Sequence, residues 1–376
     1  MSAIELLRQL VQRPSVNPMG RTDIPPDIAH ESRVTAFLEQ QLQALGVEYR
    51  RQSVAPGRDN LIAYYRTDSP LTFLWEAHQD TVPVDGMTVE PFAATVRDGK
   101  MYGRGSCDVK AGIACMLAAF ARLVKEKPAG SANVILAFTV DEEHTFLGVQ
   151  ELMKAGLKAD FAVVAEPTLL NIVTSHKGVV RWQLETSGRA CHSSRPEQGV
   201  SAVYRMAKVL NVVEEYAKQL QASRSDPKLG PPTLSVGMIA GGVSPNTVPD
   251  HCAIQIDRRL LPGESATAAI EDLSKYLAAK SFDFAIQTKP SLACNALSPV
   301  ADDHPLLKRL GDAIGPHEKI AVPFGTDAST ISPVIPAVVF GPGDIAQAHT
   351  KEEWIELAQV ERAVEILFRF ACGLPA

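Results

Sequence analysis

Runs of consecutive apolar residues in the first part of the chain predict strands that are buried on both faces. Such runs are NLIAYYR (60–66), LTFLWEAH (71–78), ANVILAFTV (132–140) and DFAVVAEP (160–167). Between them, VKAGIACMLAAFARLVKE (109–126) is apolar almost all round, which predicts a buried helix. Buried strands that alternate with helices predict an α/β layer, in which a mixed sheet carries helices on both faces.

The pattern changes near residue 177, where apolar and polar residues begin to alternate. The segment VVRWQLET (179–186) alternates throughout, which is typical of a strand with one solvated face. An amphipathic helix (199–220), two alternating strands (233–242 and 251–260), a second helix (264–279) and a strand (282–288) follow. The order β-α-β-β-α-β predicts a ferredoxin-like α+β domain of two layers.

After residue 291 the buried-strand pattern returns in PAVVFGPG (336–343), and the helix VERAVEILFRFA (360–371) follows. A chain of 376 residues is long enough for two domains. We therefore predict a large α/β domain built from residues 1–176 and 292–376, with a smaller domain, residues 177–291, inserted into it.

Composition and charge narrow the class of protein. The chain is 45% hydrophobic and 21% charged, as in ordinary globular domains. The net charge of −6 and the lack of a basic run argue against a nucleic-acid partner, and no apolar run is long enough for a membrane span. Six scattered cysteines without a CxxC pair, and an N-terminus without the apolar core of a signal peptide, predict a cytoplasmic protein.

Acidic and imidazole side chains recur at the ends of the predicted strands of the large domain. They are His78, Asp80, Asp108, Glu142, Glu143, Glu166 and His349. The carboxyl ends of strands are where open α/β sheets build their sites, and two histidines with several carboxylates suit two divalent metal ions. Bound cations would also offset the repulsion within the triplet Asp141–Glu143.

Simpler explanations exist for single residues. His78 alone fits a hydrogen-bonded core histidine, Asp108 a helix cap and Glu166 an ordinary strand exit. Their joint occurrence at strand ends favours a site. The segment GPGDIAQA (341–348) fits a dinucleotide fingerprint, but Pro342 and the short remaining chain count against it. A metal-free binding protein on the same scaffold is the alternative from another functional class.

The motifs from AHQDTVP (77–83) to AHTKEEW (348–354) resemble a zinc-dependent family of amidohydrolases. The family includes acetylornithine deacetylase, succinyl-diaminopimelate desuccinylase, aminoacylase and glutamate carboxypeptidase. Segments 165–203 and 338–349 most resemble the acetylornithine deacetylases. One departure is Ala77, where the family more often has glycine. The resemblance implies a metallopeptidase domain with an inserted lid and dimerisation domain.

The resemblance also implies a ligand set for two Zn²⁺ ions, for which Co²⁺ or Mn²⁺ are candidate substitutes. Asp108 would bridge both ions. His78 and Glu166 would complete the protein ligands of one ion, and Glu143 and His349 those of the other.

Further residues match the positions of the family's catalytic groups. Glu142 would be the general base, and Asp80 would orient the imidazole of a metal ligand. In the lid, His192 would stabilise the oxyanion. Family members commonly dimerise through their lids, and there the equivalent histidine reaches the active site of the partner chain.

Three residues match positions that bind substrate. Asn246 and Arg259 would hold a carboxylate, and Gly325 would let the backbone approach the substrate closely. A simple turn role is the alternative for Asn246. The implied substrate is a small N-acylamino acid, and the implied reaction converts N²-acetylornithine to ornithine and acetate in arginine biosynthesis. Desuccinylase, aminoacylase and dipeptidase activities remain alternatives, because these motifs are shared.

Overall fold

The computed structural model describes residues 2–376, apart from the side chain of Ser291. The chain forms two compact units. The first contains the residues up to Ser175 together with Ser298–Ile320 and Thr326–Ala376, and the second contains His176–Leu297 and Ala321–Gly325. That residues 177–291 form a separate domain, inserted between residues 1–176 and 292–376, stays a prediction.

Helices and strands are numbered in chain order. The helices are α1 (Ala3–Val11), α2 (Ser32–Leu45), α3 (Lys110–Glu126), α4 (Leu147–Lys154), α5 (Ala202–Ser223), α6 (Ala266–Ala278), α7 (Pro305–Ile314), α8 (Ala328–Ile331) and α9 (Leu357–Cys372). The strands are β1 (Glu48–Ala55), β2 (Arg58–Tyr65), β3 (Thr72–His78), β4 (Thr95–Arg97), β5 (Lys100–Tyr102), β6 (Asn133–Thr139), β7 (Phe161–Val164), β8 (Ile172–His176), β9 (Gly178–Ser187), β10 (Cys191–His192), β11 (Thr233–Gly241), β12 (Thr247–Val248), β13 (His251–Leu260), β14 (Ile286–Cys294), β15 (Lys319–Val322), β16 (Ala337–Val339) and β17 (Trp354–Glu356). Within residues 2–376, no helix is both long and apolar enough to cross a membrane.

The main sheet of the first unit has the order β1-β2-β6-β3-β7-β16-β8-β15. Strands β6, β3, β7 and β16 run parallel to their neighbours among these four, whereas β1, β2 and β8 pair antiparallel. Phe73 and Trp75 of β3 are fully buried in a core shared with α1, α3 and α9. Helices α4 and α8 pack on each other and on the sheet. The predicted mixed sheet with helices on both faces is confirmed.

Consecutive strands of this sheet are not always neighbours. Strands β2 and β3 are joined by a short turn, but β6 lies between them. The hydrophobic pattern shows which face of each strand is buried. The order of the strands depends instead on the crossovers, which run through α3 between β3 and β6 and through α4 between β6 and β7. Those crossovers place the carboxyl ends of β3, β6 and β7 at one edge.

The second unit is the predicted ferredoxin-like domain. Its antiparallel sheet has the order β11-β13-β9-β14, and helices α5 and α6 pack against the face that carries Val180, Trp182 and Leu184. Strand β14 begins and ends later than the sequence predicts. Phe282 and Phe284 pack against the core ahead of the strand, and pairing with β9 continues to Cys294.

Candidate metal centre

The carboxyl ends of three parallel strands supply most of the site. Strand β3 ends at His78, β6 leads into Glu142 and Glu143, and β7 leads into Glu166. Asp108 comes from the turn before α3. It does not cap that helix, because the helix follows Val109 without any side-chain cap. The helix-cap explanation for Asp108 is therefore wrong.

Asp108 lies between two imidazoles. Its Oδ1 is 3.3 Å from His78 Nε2, and its Oδ2 is 3.3 Å from His349 Nε2. His78 Nε2 is also 3.8 Å from a Glu166 oxygen, and His349 Nε2 is 3.2 Å from a Glu143 oxygen. One oxygen of Asp108 thus faces His78, and the other faces His349. A carboxylate that bridges two metal ions needs this arrangement, because each oxygen binds a different ion.

Burial and missing partners show that these groups fit metal ions. His78 Nε2 and Glu143 Oε1 are buried and, within residues 2–376, have no hydrogen-bond partner of acceptable geometry. Potential ligand atoms lie within 4.8 Å of one another in two groups, which share His78. One group adds Glu142 and Glu166, and the other adds Asp108 and Glu143. Burying polar atoms without partners costs folding free energy, and a bound cation would remove this cost by accepting them as ligands.

The electrostatics point the same way. Burial raises the pKa of Glu142 and of Glu166 well above the usual value, and nearby carboxylates raise it further. Hydrogen bonds with Asp108 and Glu143 raise the pKa of His349 to about 11. The carboxylates thus carry an excess of buried negative charge, which divalent cations would offset.

Asp80 supports the site in a way that differs in detail from the expected one. His78 Nδ1 lies 3.0 Å from the backbone oxygen of Asp80 and 3.6 Å from its carboxylate. The carboxylate instead accepts 3.2 Å hydrogen bonds from the backbone N–H groups of Glu142 and Glu143, and a 2.8 Å bond from Asn17 Nδ2. It therefore contacts the backbone of the acidic triplet as well as the imidazole.

The first acid of the triplet does not join this cluster. Asp141 accepts hydrogen bonds from Arg58 Nη1 at 2.7 Å and Asn17 Nδ2 at 2.9 Å, and Arg58 also binds Glu31. Sequence reasoning missed Asn17, Arg58 and Glu31. They lie 124, 83 and 110 positions from Asp141, and no local pattern marks them.

A second acidic contact behind the site was also missed. Thr139 Oγ1 lies 2.5 Å from a Glu76 oxygen and 3.1 Å from an Asp327 oxygen. Both carboxyls are buried, and burial raises the pKa of each. The second oxygen of each has no hydrogen-bond partner in the described part of the chain. Elevated pKa values favour a neutral form, which lets two acids share one hydroxyl in the core.

Within the second unit, His192 and Asn246 are neighbours. Strands β10 and β12 pair, and the Ser193 N–H donates a 3.0 Å hydrogen bond to the Asn246 backbone oxygen. Both residues are exposed, and His192 Nδ1 lies 2.8 Å from Ser194 Oγ. The side-chain amide of Asn246 is in contact with the hydroxyl of Ser244 within a turn.

Arg259 and its neighbour Arg258 point to different faces of β13. Arg259 is partly exposed and donates a 2.8 Å hydrogen bond to Asp257, whereas Arg258 is buried and pairs with Glu264. Of these two arginines, Arg259 is therefore the one whose guanidinium is open to a ligand. At Gly325, a Cβ atom would lie 3.1 Å from the sulfur of Cys294, so close packing also limits this position.

The dinucleotide alternative does not fit the structure. After β16, residues Ile345–Gln347 form a single 3-10 turn. A dinucleotide fingerprint instead needs an α-helix that begins at the glycines and presents its N-terminus to phosphate.

With this geometry in view, comparison with known proteins gives the class. Residues 74–372 match the family model of "Peptidase family M20/M25/M40". The chain belongs to this family and is a metallopeptidase-type hydrolase. It is 31% identical to an acetylornithine deacetylase of Photorhabdus laumondii over 94% of this chain and 92% of the relative.

Solved structures show the same fold. An M20 family metallo-carboxypeptidase from Sulfolobus solfataricus superposes with a TM-score of 0.80 at 18% identity, over 99% of each chain. A dinuclear metal-binding peptidase of the M20 family from Bacillus subtilis superposes with a TM-score of 0.68 at 17% identity. That match covers 98% of this chain and 96% of the other.

Proposed function

We propose that this hydrolase removes the acetyl group from N²-acetylornithine and so releases ornithine and acetate for arginine biosynthesis. The acetylornithine deacetylase of Photorhabdus laumondii, similar over almost the whole chain, supports this substrate. The bridging position of Asp108 between two imidazoles carries the chemical part of the proposal.

Two zinc ions are the proposed cofactors, with Co²⁺ or Mn²⁺ as substitutes. Asp108 would be shared by the two ions, His78 and Glu166 would complete the protein ligands of one, and Glu143 and His349 would complete those of the other. The dinuclear centre named for the Bacillus subtilis peptidase supports two ions. When bound, such ions polarise the amide carbonyl and lower the pKa of an attacking water.

Glu142 is the proposed general base. It is buried beside the ligands, and its backbone N–H is held by Asp80, so its carboxylate is directed by the same turn that positions Glu143. Glu142 takes a proton from water and returns it to the leaving amine.

The second unit supplies the proposed substrate contacts. Arg259 presents a guanidinium fork and Asn246 an amide to the carboxylate of the amino acid, and Gly325 lets the backbone approach. His192 stabilises the oxyanion. We further propose that the enzyme is cytoplasmic. We also propose that it forms a homodimer through the second unit, because Met238 and Ile239 are exposed on the edge strand β11.

A kinetic panel tests the substrate. The purified enzyme, loaded with Zn²⁺ or Co²⁺, is assayed with N²-acetylornithine, other acetylamino acids, succinyl-diaminopimelate and dipeptides. We expect the highest kcat/KM for N²-acetylornithine and no activity after chelation. A kcat/KM at least about tenfold higher for another substrate, worth ~1.4 kcal/mol, refutes the assignment. Activity that survives full metal removal refutes the metal mechanism.

A further inference from the structure

Glu353 is a fully buried carboxylate whose hydrogen bonds all go to one loop. Its Oε1 accepts from the backbone N–H groups of Cys107 at 2.9 Å and Asp108 at 3.0 Å. Its Oε2 accepts from the N–H of Gly105 at 3.1 Å and from Arg104 Nη1 at 2.6 Å. One side chain therefore accepts hydrogen bonds from three backbone N–H groups and from an arginine of the turn that carries Asp108.

Glu353 also belongs to the segment that carries His349. It directly precedes β17, which pairs antiparallel with β5, and its backbone oxygen accepts a 3.0 Å hydrogen bond from the Gly103 N–H. Backbone and side chain together join the two segments on which Asp108 and His349 lie. Asp108 Oδ2 and His349 Nε2 are 3.3 Å apart, and His349 Nε2 is also 3.2 Å from a Glu143 oxygen.

The hydrogen-bond chemistry requires a carboxylate at this position. Four donors meet two acceptor oxygens, and the charge is offset by buried Arg104. Glutamine has the same shape, but its NH₂ group would face donors in place of one oxygen. Either the pair of amides at Cys107 and Asp108, or the pair formed by Gly105 and Arg104, would lose its acceptor.

We propose that Glu353 is a positioning residue, which holds Asp108 against His349 and so sets the affinity for the metal ion between Asp108, Glu143 and His349. This inference rests on the proposed two-metal function. Groups that orient metal ligands typically change affinity about 10–100-fold when they are lost. Glu353 acts on the ligand through its backbone, so we expect a change of the same order.

A matched control separates positioning from ordinary stability. Glu264, in the second unit, is a similar carboxylate with little exposure. It accepts a 2.6 Å hydrogen bond from Arg258 and another of 2.6 Å from the Leu261 N–H. Glu264→Gln therefore disturbs a buried arginine pair and a backbone contact without touching any proposed ligand.

The experiment compares wild type, Glu353→Gln and Glu264→Gln. Competition with a chelator gives the dissociation constants for Zn²⁺ and Co²⁺, Co²⁺ absorption reports the ligand geometry, and hydrogen exchange follows residues 103–108 with and without metal. We expect Glu353→Gln to weaken at least one ion about tenfold or more, to change the Co²⁺ spectrum and to speed exchange in 103–108. Glu264→Gln should keep both constants within about twofold of wild type.

Each other outcome has a defined meaning. Wild type that binds no metal overturns the proposed function and, with it, this inference. If wild type binds two ions, two results overturn the inference alone. One is an unchanged metal affinity in Glu353→Gln, and the other is an equal loss of affinity in Glu264→Gln. If Glu353→Gln does not fold, Glu353→Asp keeps the charge but withdraws it by one methylene. A tenfold weaker ion then supports the inference, and unchanged affinity overturns it.

Discussion

Arg58 donates a 2.7 Å hydrogen bond to Asp141, whose side chain is 3% exposed, while that of Arg58 is 13% exposed. The acidic triplet after β6 is thus divided. Asp141 is neutralised by Arg58, while Glu142 and Glu143 belong to the two groups that could hold metal ions. Part of the negative charge of the three consecutive acids is therefore offset by Arg58.

Arg58→Met should destabilise the protein by about 3–5 kcal/mol, because it leaves Asp141 and Glu31 buried without their cation. Urea unfolding measures the loss. Arg51→Met is the control, since Arg51 pairs with Glu39 and Asp59 at the surface and is expected to contribute no more than ~1 kcal/mol. Equal losses for the two variants would contradict the assignment.

Asp108→Ala should abolish binding of both ions, because its two oxygens face His78 and His349 separately. Elemental analysis after dialysis measures metal per chain. Glu166→Ala is the comparison and should impair only one ion. Undiminished metal content in Asp108→Ala would remove the bridging role.

Glu142→Gln should keep its metal and lose kcat by about 10²–10⁴-fold, the usual contribution of general acid–base catalysis. Glu143→Gln should lose metal instead. Steady-state kinetics and metal analysis on both variants distinguish the roles. The opposite pattern would mean that the two glutamates are exchanged.

Lys110 gives a prediction about pH. It is completely buried, its Nζ donates to the Arg13 backbone oxygen at 2.8 Å, and burial lowers the pKa of its amine to about 7. Between pH 7 and the pKa of the unfolded state, the unfolded chain binds the extra proton. The free energy of unfolding of wild type should therefore rise with pH relative to Lys110→Met.

The expected change in this difference is ~4 kcal/mol between pH 7 and pH 10, and the difference should be constant below pH 7. Chemical unfolding at matched metal content measures it. Lys125→Met, which alters an exposed lysine of the same helix, should differ from wild type by a constant amount across this range. A flat difference for Lys110→Met would show that the buried amine stays charged.

His192→Ala should lower kcat about 10²–10³-fold with metal content intact, as expected for loss of an oxyanion contact. If His192 acts across a dimer, mixing His192→Ala with Glu142→Ala should restore activity, because one hybrid site would carry both defects and the other neither. Mixed dimers that stay inactive after verified subunit exchange would exclude action in trans.

The sequence predicts the fold well because hydrophobic periodicity records which faces are buried. Apolar runs such as 132–140 mark strands inside the main sheet, and clean alternation at 179–186 marks a strand with one solvated face. What periodicity does not record is strand order. Periodicity alone does not predict that β6 lies between β2 and β3, because the position of a strand in the sheet depends on the path of the connection that leads to it.

The candidate site was predictable to the same depth. His78, Glu143 and Glu166 stand out because acids and imidazoles rarely follow buried strands without a reason. The residues behind them do not stand out. Glu353 binds backbone N–H groups, which every residue except proline has, so no side-chain pattern marks its partners. Asn17 binds Asp80, 63 positions away, and Asp141, 124 positions away. Such contacts exist only once the chain is folded.

Strand β16 has a consequence for how the protein is made. It lies between β7 and β8 in the sheet, yet it is translated after the whole of the second unit. Until residues 337–339 have been synthesised, the sheet lacks the strand that pairs with both β7 and β8, although all residues of the second unit have already been made. The last part of the chain then closes the sheet and delivers His349 and Glu353 together. The proposed metal ligand His349 and the proposed positioning residue Glu353 therefore become available only after the second unit has been synthesised.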